Sequence, residues 1–287
     1  MRASLWPLRL YARIAPTERG GYRLVRAARR LVPRRSWRGG FTIPGGVTLN
    51  LDLATYPDCC MAVGLYELDT YRTLRRLLPL GTALLDVGAN LGYFSLLAAR
   101  WVGPGGRVDS IEPDPLNRQR LQENLAANGL QDRVHVHAIA ASDHAGELRL
   151  WHPEGEDANH GMASTVIVPE GPAREFMVRA ERLADVVADC PDVVKMDVEG
   201  AELSALRGME PWLSGKQPPK LVIEHNHVGA AAAGYRCGDL LRYLRTLRPD
   251  YRAWWIGWRK QELVGPEQID GIARQGNIIY AVGPWQQ

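Results

Sequence analysis

Two stretches of the chain hold residue types at spacings that chemistry can use. The first is Leu84-Leu-Asp86-Val-Gly88-Ala89-Asn90-Leu-Gly92-Tyr-Phe94. Glycines at a strand-to-helix turn let backbone approach a ligand closely, and a helix N-terminus favours an anionic group. A dinucleotide fingerprint needs G-x-G-x-x-G so that backbone can touch a pyrophosphate. Asn90 and Tyr93 stand at the second and third of those glycine positions. The loop therefore argues against NAD and for a ligand without a pyrophosphate. S-adenosylmethionine suits it. The methionine carboxylate can meet the loop amides, and the ammonium and sulfonium groups suit a nearby acid such as Asp86. Glu112, followed by Pro113, lies 24 residues after Gly88. That is close to the ~20 residues at which an acid reaches ribose hydroxyls. A carboxylate there accepts hydrogen bonds from both of them. The plainer alternative is that Glu112 caps the next helix.

The second stretch is Val194-Lys-Met-Asp197-Val-Glu199-Gly200-Ala-Glu202. Open α/β sheets bind ligands beyond the carboxyl ends of their strands. Asp197 ends a hydrophobic strand and would sit there with Glu199, whereas Glu202 suits a helix N-terminus. Methyl transfer from a sulfonium is an in-line displacement, so much of the catalysis is alignment. A hydroxyl acceptor must also lose a proton to a base within hydrogen-bond reach. The candidate catalytic residues are Asp197, Glu199 and His225, since histidine titrates near neutrality. His225 reads equally as a loop histidine that binds backbone. Asp197 and Glu199 could alternatively bind a divalent metal that lowers the acceptor's pKa, but they stand at i, i+2 with no clear third ligand, so no metal is expected.

The elements that would hold these residues alternate strand and helix. Apolar runs at Ala83–Val87, Arg107–Ile111, Val134–Ala140, Asp192–Met196 and Lys220–Glu224 suit strands buried on both faces. Helices are expected at Glu67–Leu78, Tyr93–Val102, Pro115–Asn128, Ala201–Gly208 and Tyr235–Arg248. Pro115 and Gly129 bracket the third of these as helix start and stop. Arg252–Trp258 and Asn277–Val282 close the chain as strands without a long helix between them, which predicts an antiparallel edge pair. Phe41–Leu53 reads as a hairpin turned by Gly45-Gly46. A second hairpin is expected from Glu147–Trp151 and Thr165–Val168, its polar loop at Pro153–Ala163 a candidate lid. His135 and His137 alternate on a strand and read as structural. Trp254, Ile256 and Trp258 share one strand face and read as core packing.

Taken together, Asp86-Val-Gly-Ala-Asn-Leu-Gly92, Glu112-Pro113 and Lys195-Met-Asp-Val-Glu-Gly-Ala-Glu202 resemble the FkbM-type S-adenosylmethionine-dependent methyltransferases. Gly64-Leu-Tyr66-Glu67 is similar to the family's Tyr-Glu ahead of its first core helix. Leu221–Glu224 and Asn277-Ile-Ile-Tyr280 extend the resemblance, which spans about residues 41–283. One departure is Ala184 after Leu183, where the family carries a Leu-Asp pair; Asp185 follows. The resemblance implies a doubly wound, Rossmann-like, seven-stranded α/β methyltransferase sheet with an antiparallel edge pair, plus an N-terminal extension. It implies O-methylation of a small natural product or sugar. The expected cofactor contacts are Glu67, Asp86, Gly88, Ala89, Asn90, Gly92, Glu112, Pro113, Ala140 and Asp197.

Composition sets the outer limits. The chain has 287 residues, 46% hydrophobic and 23% charged, ordinary values for a globular protein. The net charge of +3 is unevenly spread: residues 1–40 carry +10 and the remainder −7. This divides the chain into a basic extension, 1–40, and a methyltransferase domain, 41–287. The extension is not a secretory signal, since Arg9 and Arg13 interrupt its apolar stretch. It is Arg-rich like a transit peptide, but the whole chain holds 31 Arg and 4 Lys, so arginine is its general cation. An amphipathic helix around Tyr22–Leu31 lying on the body is the plain expectation. No apolar run reaches the ~18 residues of a membrane span. Peripheral membrane contact through 1–40 stays open. Four cysteines without a C-x-x-C pair fit a reducing compartment and a cytoplasmic location. The expected partner is a small hydroxyl acceptor and not a nucleic acid. The alternatives are an RNA or protein methyltransferase docked through the basic arm, or a non-catalytic cofactor-binding protein.

Overall fold

A computed structural model describes residues 6–14, 21–29, 36–155, 160–257 and 261–283. Its strands in chain order are β1 (Arg38–Thr42), β2 (Thr48–Asp52), β3 (Ala83–Val87), β4 (Arg107–Ile111), β5 (Val134–His137), β6 (Ala140–Ala141) and β7 (Gly146–Pro153). They continue as β8 (Ala173–Glu181), β9 (Val193–Met196), β10 (Lys220–His225), β11 (Tyr251–Trp255), β12 (Gln261–Leu263) and β13 (Gly276–Val282). One eight-stranded sheet runs β12-β11-β13-β10-β9-β3-β4-β5. The five strands from β5 to β10 are parallel, and β13 is inserted antiparallel between β10 and β11. Seven of these strands are those the apolar runs predict. The eighth, β12, extends the edge through a short antiparallel pairing with β11.

Alternation along the strands divides the apolar side chains between two cores. Leu84, Val108, Val193, Val222, Trp254 and Ile279 face one, against Leu74, Leu96, Leu97, Leu121 and Leu125. Leu85, Val87, Val194, Met196, Leu221 and Ile223 face the other, against Leu206, Leu240, Leu241 and Leu244. Helices Leu68–Leu77, Tyr93–Trp101 and Pro115–Asn128 therefore cover one face, and Glu202–Gly208 and Gly238–Leu247 the other. Parallel strands read as unbroken apolar runs because both faces are covered in this way. Trp254 and Ile256 are buried as expected, while Trp258 lies outside the described residues.

Two sequence expectations need correction. The run Val134–Ala140 is not one strand: β5 ends at His137, and β6 leaves for a separate three-stranded sheet, β6-β8-β7. The hairpin partner of β7 is β8 and not Thr165–Val168; Ser164, just ahead of that segment, forms an isolated bridge with Trp151. β8 escapes a hydrophobicity reading because most of its side chains face solvent. In the basic extension the expected helix is present at Gly21–Arg29, and a further one lies at Trp6–Ile14. Ala12 and Val25 are buried in the first core, and Arg9 donates to the Ala62 carbonyl through Nε (3.2 Å) and Nη2 (2.9 Å). No helix among the described residues is long and apolar enough to cross a membrane.

Candidate active site

β3 leads directly into the glycine loop. Gly88 has φ +80, and a Cβ there would stand 1.8 Å from the Asp197 carbonyl oxygen. The position is glycine because β3 and β9 end in contact. Gly92, φ +90, faces Leu121 and Leu96, so it serves helix packing and does not line the cleft. The loop amides are already used. Gly88 N and Ala89 N both donate to the Ile111 carbonyl (3.0 Å each), and Asn90 N donates to Glu112 Oε2 (2.6 Å). The expected meeting of these amides with a ligand carboxylate is thus corrected: they tie β3 to the end of β4.

Glu112 is buried and holds two backbone donors, Asn90 N on Oε2 and Asp114 N on Oε1 (2.9 Å). Burial pushes its carboxyl up to about 8 against the pull of those donors. It does not cap the following helix. That role belongs to Asp114, whose Oδ1 accepts from Leu116 N (2.8 Å) and whose Oδ2 pairs with His152 Nδ1.

Asp86 is 1% exposed and accepts from Ser95 Oγ (2.6 Å), which keeps it behind the loop and out of the cleft lining. Burial raises its pKa. Between Asp86 and Asp197 lies Lys195, 4% exposed, with Nζ 4.0 Å from Asp86 Oδ1 and 3.4 Å from Asp197 Oδ2. Burial pulls the Lys195 ammonium down, but Asp197, Asp86, Glu67 and Glu224 together hold its pKa above the ordinary value. A buried cation survives here because acids surround it.

A cleft of about 300 Å³ opens at these strand ends. It is lined by Glu67, Gly88, Ala89, Asn90, Glu112, Pro113, Ala140, Asp197 and Glu199 among the expected residues. His225 is not among them. It is 2% exposed, its Nε2 meets the Ile272 carbonyl (2.9 Å), and its ring packs edge-on against Trp255. Burial lowers its pKa. Successive residues of a strand face opposite sides, so the cleft receives Glu224 instead. The base expected at His225 is corrected accordingly.

Sequence reading missed Glu224, Lys195 and Asn277. Glu224 brings an oxygen within 4.8 Å of oxygens of Asp197 and Glu199, the third carboxylate that spacing alone did not reveal. The cation already set against this group is the Lys195 ammonium. Glu199 accepts from Asn226 Nδ2 (2.7 Å), and burial with Asp197 and Glu202 nearby pushes it up to about 8. Glu67 is raised by burial and bonded by Asn277 Nδ2 (3.1 Å). Glu67, Asn90 and Glu199 are the non-glycine residues with positive φ among those described, and all three line the cleft. Such strain collects at functional sites, where surrounding structure holds it in place. The candidate lid contributes Gly161, Met162 and Ala163; beyond its exit Thr165 also lines the cleft, and Ser164 Oγ donates to the Glu199 carbonyl (2.9 Å).

A family profile, the Methyltransferase FkbM domain, matches residues 86–252, more than half of the chain. The chain belongs to the FkbM methyltransferase family. This FkbM-family chain is 29% identical over 167 residues to the methyltransferase sdnD of Sordaria araneosa, covering 46% of this chain and 62% of that protein. It is 28% identical over 163 residues to the 31-O-demethyl-FK506 methyltransferase FkbM of Streptomyces tacrolimicus, covering 45% of this chain and 60% of that one. The matched stretch thus spans about three fifths of each relative's own length. Among solved structures, the methyltransferase FkbM of Methylobacillus flagellatus KT is 26% identical with a TM-score of 0.46, covering 70% of this chain and 44% of that chain.

Proposed function

We propose that this protein transfers the methyl group of S-adenosylmethionine to a hydroxyl oxygen of a small molecule. The observation that carries the reading is the group Glu67, Asp197, Glu199 and Glu224, gathered with one lysine beside Glu112 and its loop. These residues fit the cofactor. The cleft is at the lower end of small-molecule sites in size. Its acidic wall suits a cation. Each Glu112 oxygen takes one backbone N–H and keeps a lone pair for a ribose hydroxyl. Bound S-adenosylmethionine would supply an electrophilic methyl carbon on sulfonium sulfur.

The remaining work falls to the chain. Lys195 holds the Asp197 carboxylate at the strand end. Glu199, raised toward neutrality, suits the role of base, because proton transfer is most efficient when the pKa lies near the working pH. In the transfer the acceptor oxygen bonds to the methyl carbon. The carbon–sulfur bond breaks with its electron pair left on sulfur. The hydroxyl proton passes to Glu199.

The decisive measurement pairs calorimetry with mass spectrometry. S-adenosylhomocysteine should bind one site and NAD none, and acceptor mixtures should gain the mass of one CH₂ unit. Asp197→Ala should fold, bind S-adenosylhomocysteine and lose about a hundredfold or more of the transfer rate. A folded, fully active variant removes Asp197 from the reaction. kcat/KM should rise with pH toward a limb near 8 in the free enzyme, and Glu199→Gln should erase that limb.

A further inference from the structure

Among the buried cleft oxygens that have no hydrogen-bond partner are Glu224 Oε2 and Asn277 Oδ1. They come from strands far apart in sequence but face each other, since Glu224 and Asn277 are register partners across the antiparallel β10–β13 pair. Residues directly opposite in such a pair point to the same face, with Cβ atoms about 5 Å apart. Asn277 is 7% exposed and cannot turn freely. Its Nδ2 donates to Glu67 Oε2 (3.1 Å) and Thr70 Oγ1 (2.9 Å), which fixes the amide and leaves Oδ1 as the free end. A buried polar atom without a partner is uncommon in native structures and calls for an explanation.

We infer that Glu224 and Asn277 form the acceptor subsite, and that it takes two neighbouring hydroxyls of an uncharged molecule. This rests on the methyltransferase reading of the same cleft and goes beyond it by assigning residues to the acceptor. The chemistry follows from what surrounds the pair. Glu224 faces Asp197 and Glu199 from the end of β9, Glu67 from the start of helix Leu68–Leu77, and Asn277 from β13. Burial, these acids and a hydrogen bond to Asp197 push it up to about 11, so it carries its proton at neutral pH. The bond to Asp197 uses the one O–H of that carboxyl, so the two free oxygens, Glu224 Oε2 and Asn277 Oδ1, both accept. Two hydroxyls match this pair because each can donate one hydrogen bond to one of the two oxygens. An ammonium group offers only donors and finds no net charge on the pair to hold it. One hydroxyl on Glu224 and its neighbour on Asn277 would anchor the acceptor beside Asp197 and Glu199, where the proton is removed.

The test uses the full chain saturated with S-adenosylhomocysteine and three probes observed by ligand NMR: cis-1,2-cyclohexanediol, cyclohexanol and 2-aminocyclohexanol. The diol should bind at least several-fold more tightly than the other two. Glu224→Leu should abolish that preference while the chain still binds S-adenosylhomocysteine by calorimetry. Glu224→Gln, which keeps a donor for Asp197 and an accepting oxygen, should retain more of it. Equal binding of diol and monool, preference for the amino alcohol, or an unaltered preference in Glu224→Leu overturns the subsite. Should Glu224→Leu not fold, the three-probe comparison on the wild-type chain decides alone. Wild type that fails to bind S-adenosylhomocysteine overturns the cofactor reading as well, whereas intact binding without diol preference overturns only the subsite.

Discussion

At the residue scale, the glycine loop owes its sequence to packing as much as to a ligand. Gly88 lets the Asp197 carbonyl pass at a distance no side chain would permit, and its φ is in the left-handed region. Gly129 shares the left-handed φ but has open space around it. Gly129→Ala should therefore cost about 1 kcal/mol, the conformational penalty alone. Gly88→Ala should cost more than that, because backbone must also move. It should depress methyl transfer further than its stability loss accounts for, since the atom displaced belongs to Asp197. Denaturant titration and initial rates on the two variants check this. Equal losses of stability would show that the contact is unimportant.

At the element scale, the end of β4 and the start of helix Pro115–Asn128 are knit by two acids. Glu112 binds the Asp114 amide, and Asp114 caps the helix while its other oxygen pairs with His152 on β7. One side chain thus joins the main sheet's helix to the smaller sheet. Asp114→Ala should cost about 1–3 kcal/mol, from the lost cap and the lost bond to the buried His152 Nδ1. Asp114→Asn keeps an oxygen for the helix and should cost less. Thermal unfolding of both variants reads the difference, and an Ala variant as stable as wild type would sink the account. The same elements show why some of the site could be read in advance. Apolar runs betray the parallel strands, and so place Asp86, Glu112 and Asp197 at their ends. The partner of β7 could not be read, because β8 is mostly exposed and lacks an apolar signature.

At the scale of the whole molecule, the cleft stores acids that burial keeps protonated. Glu112 and Glu199 both titrate near 8 in the folded protein, against an ordinary 4.5. Between those values the unfolded chain has released these protons and the native state has not. Native protein then binds more protons than unfolded, so stability falls as pH rises from about 4.5 to 8. The slope is at most about 1.4 kcal/mol per pH unit for each proton. The stability these two groups contribute is fully present below 4.5 and lost above 8. Denaturant unfolding between pH 5 and 8 should show the decline from this source, and Glu199→Gln should lessen it. S-adenosylmethionine, with its extra positive charge, should flatten the decline more than S-adenosylhomocysteine does. A wild-type slope that Glu199→Gln leaves unaltered would contradict the assignment.

The sequence by itself determined the parallel strands and the acids at their ends. Strands buried on both faces must be apolar throughout, and the turns after them carried Gly88, Glu112 and Asp197 in recognisable spacing. Tertiary structure alone decided which neighbour on β10 enters the cleft. Glu224 and His225 are adjacent, so a strand sends them to opposite sides, and nothing local says which side holds the site. It also decided that Asn277 meets Glu224, through a strand inserted antiparallel after more than fifty intervening residues. And it decided where the loop amides go, because the Ile111 carbonyl they bind belongs to another strand. Each of these depends on what lies across the sheet, which spacing along one strand does not encode.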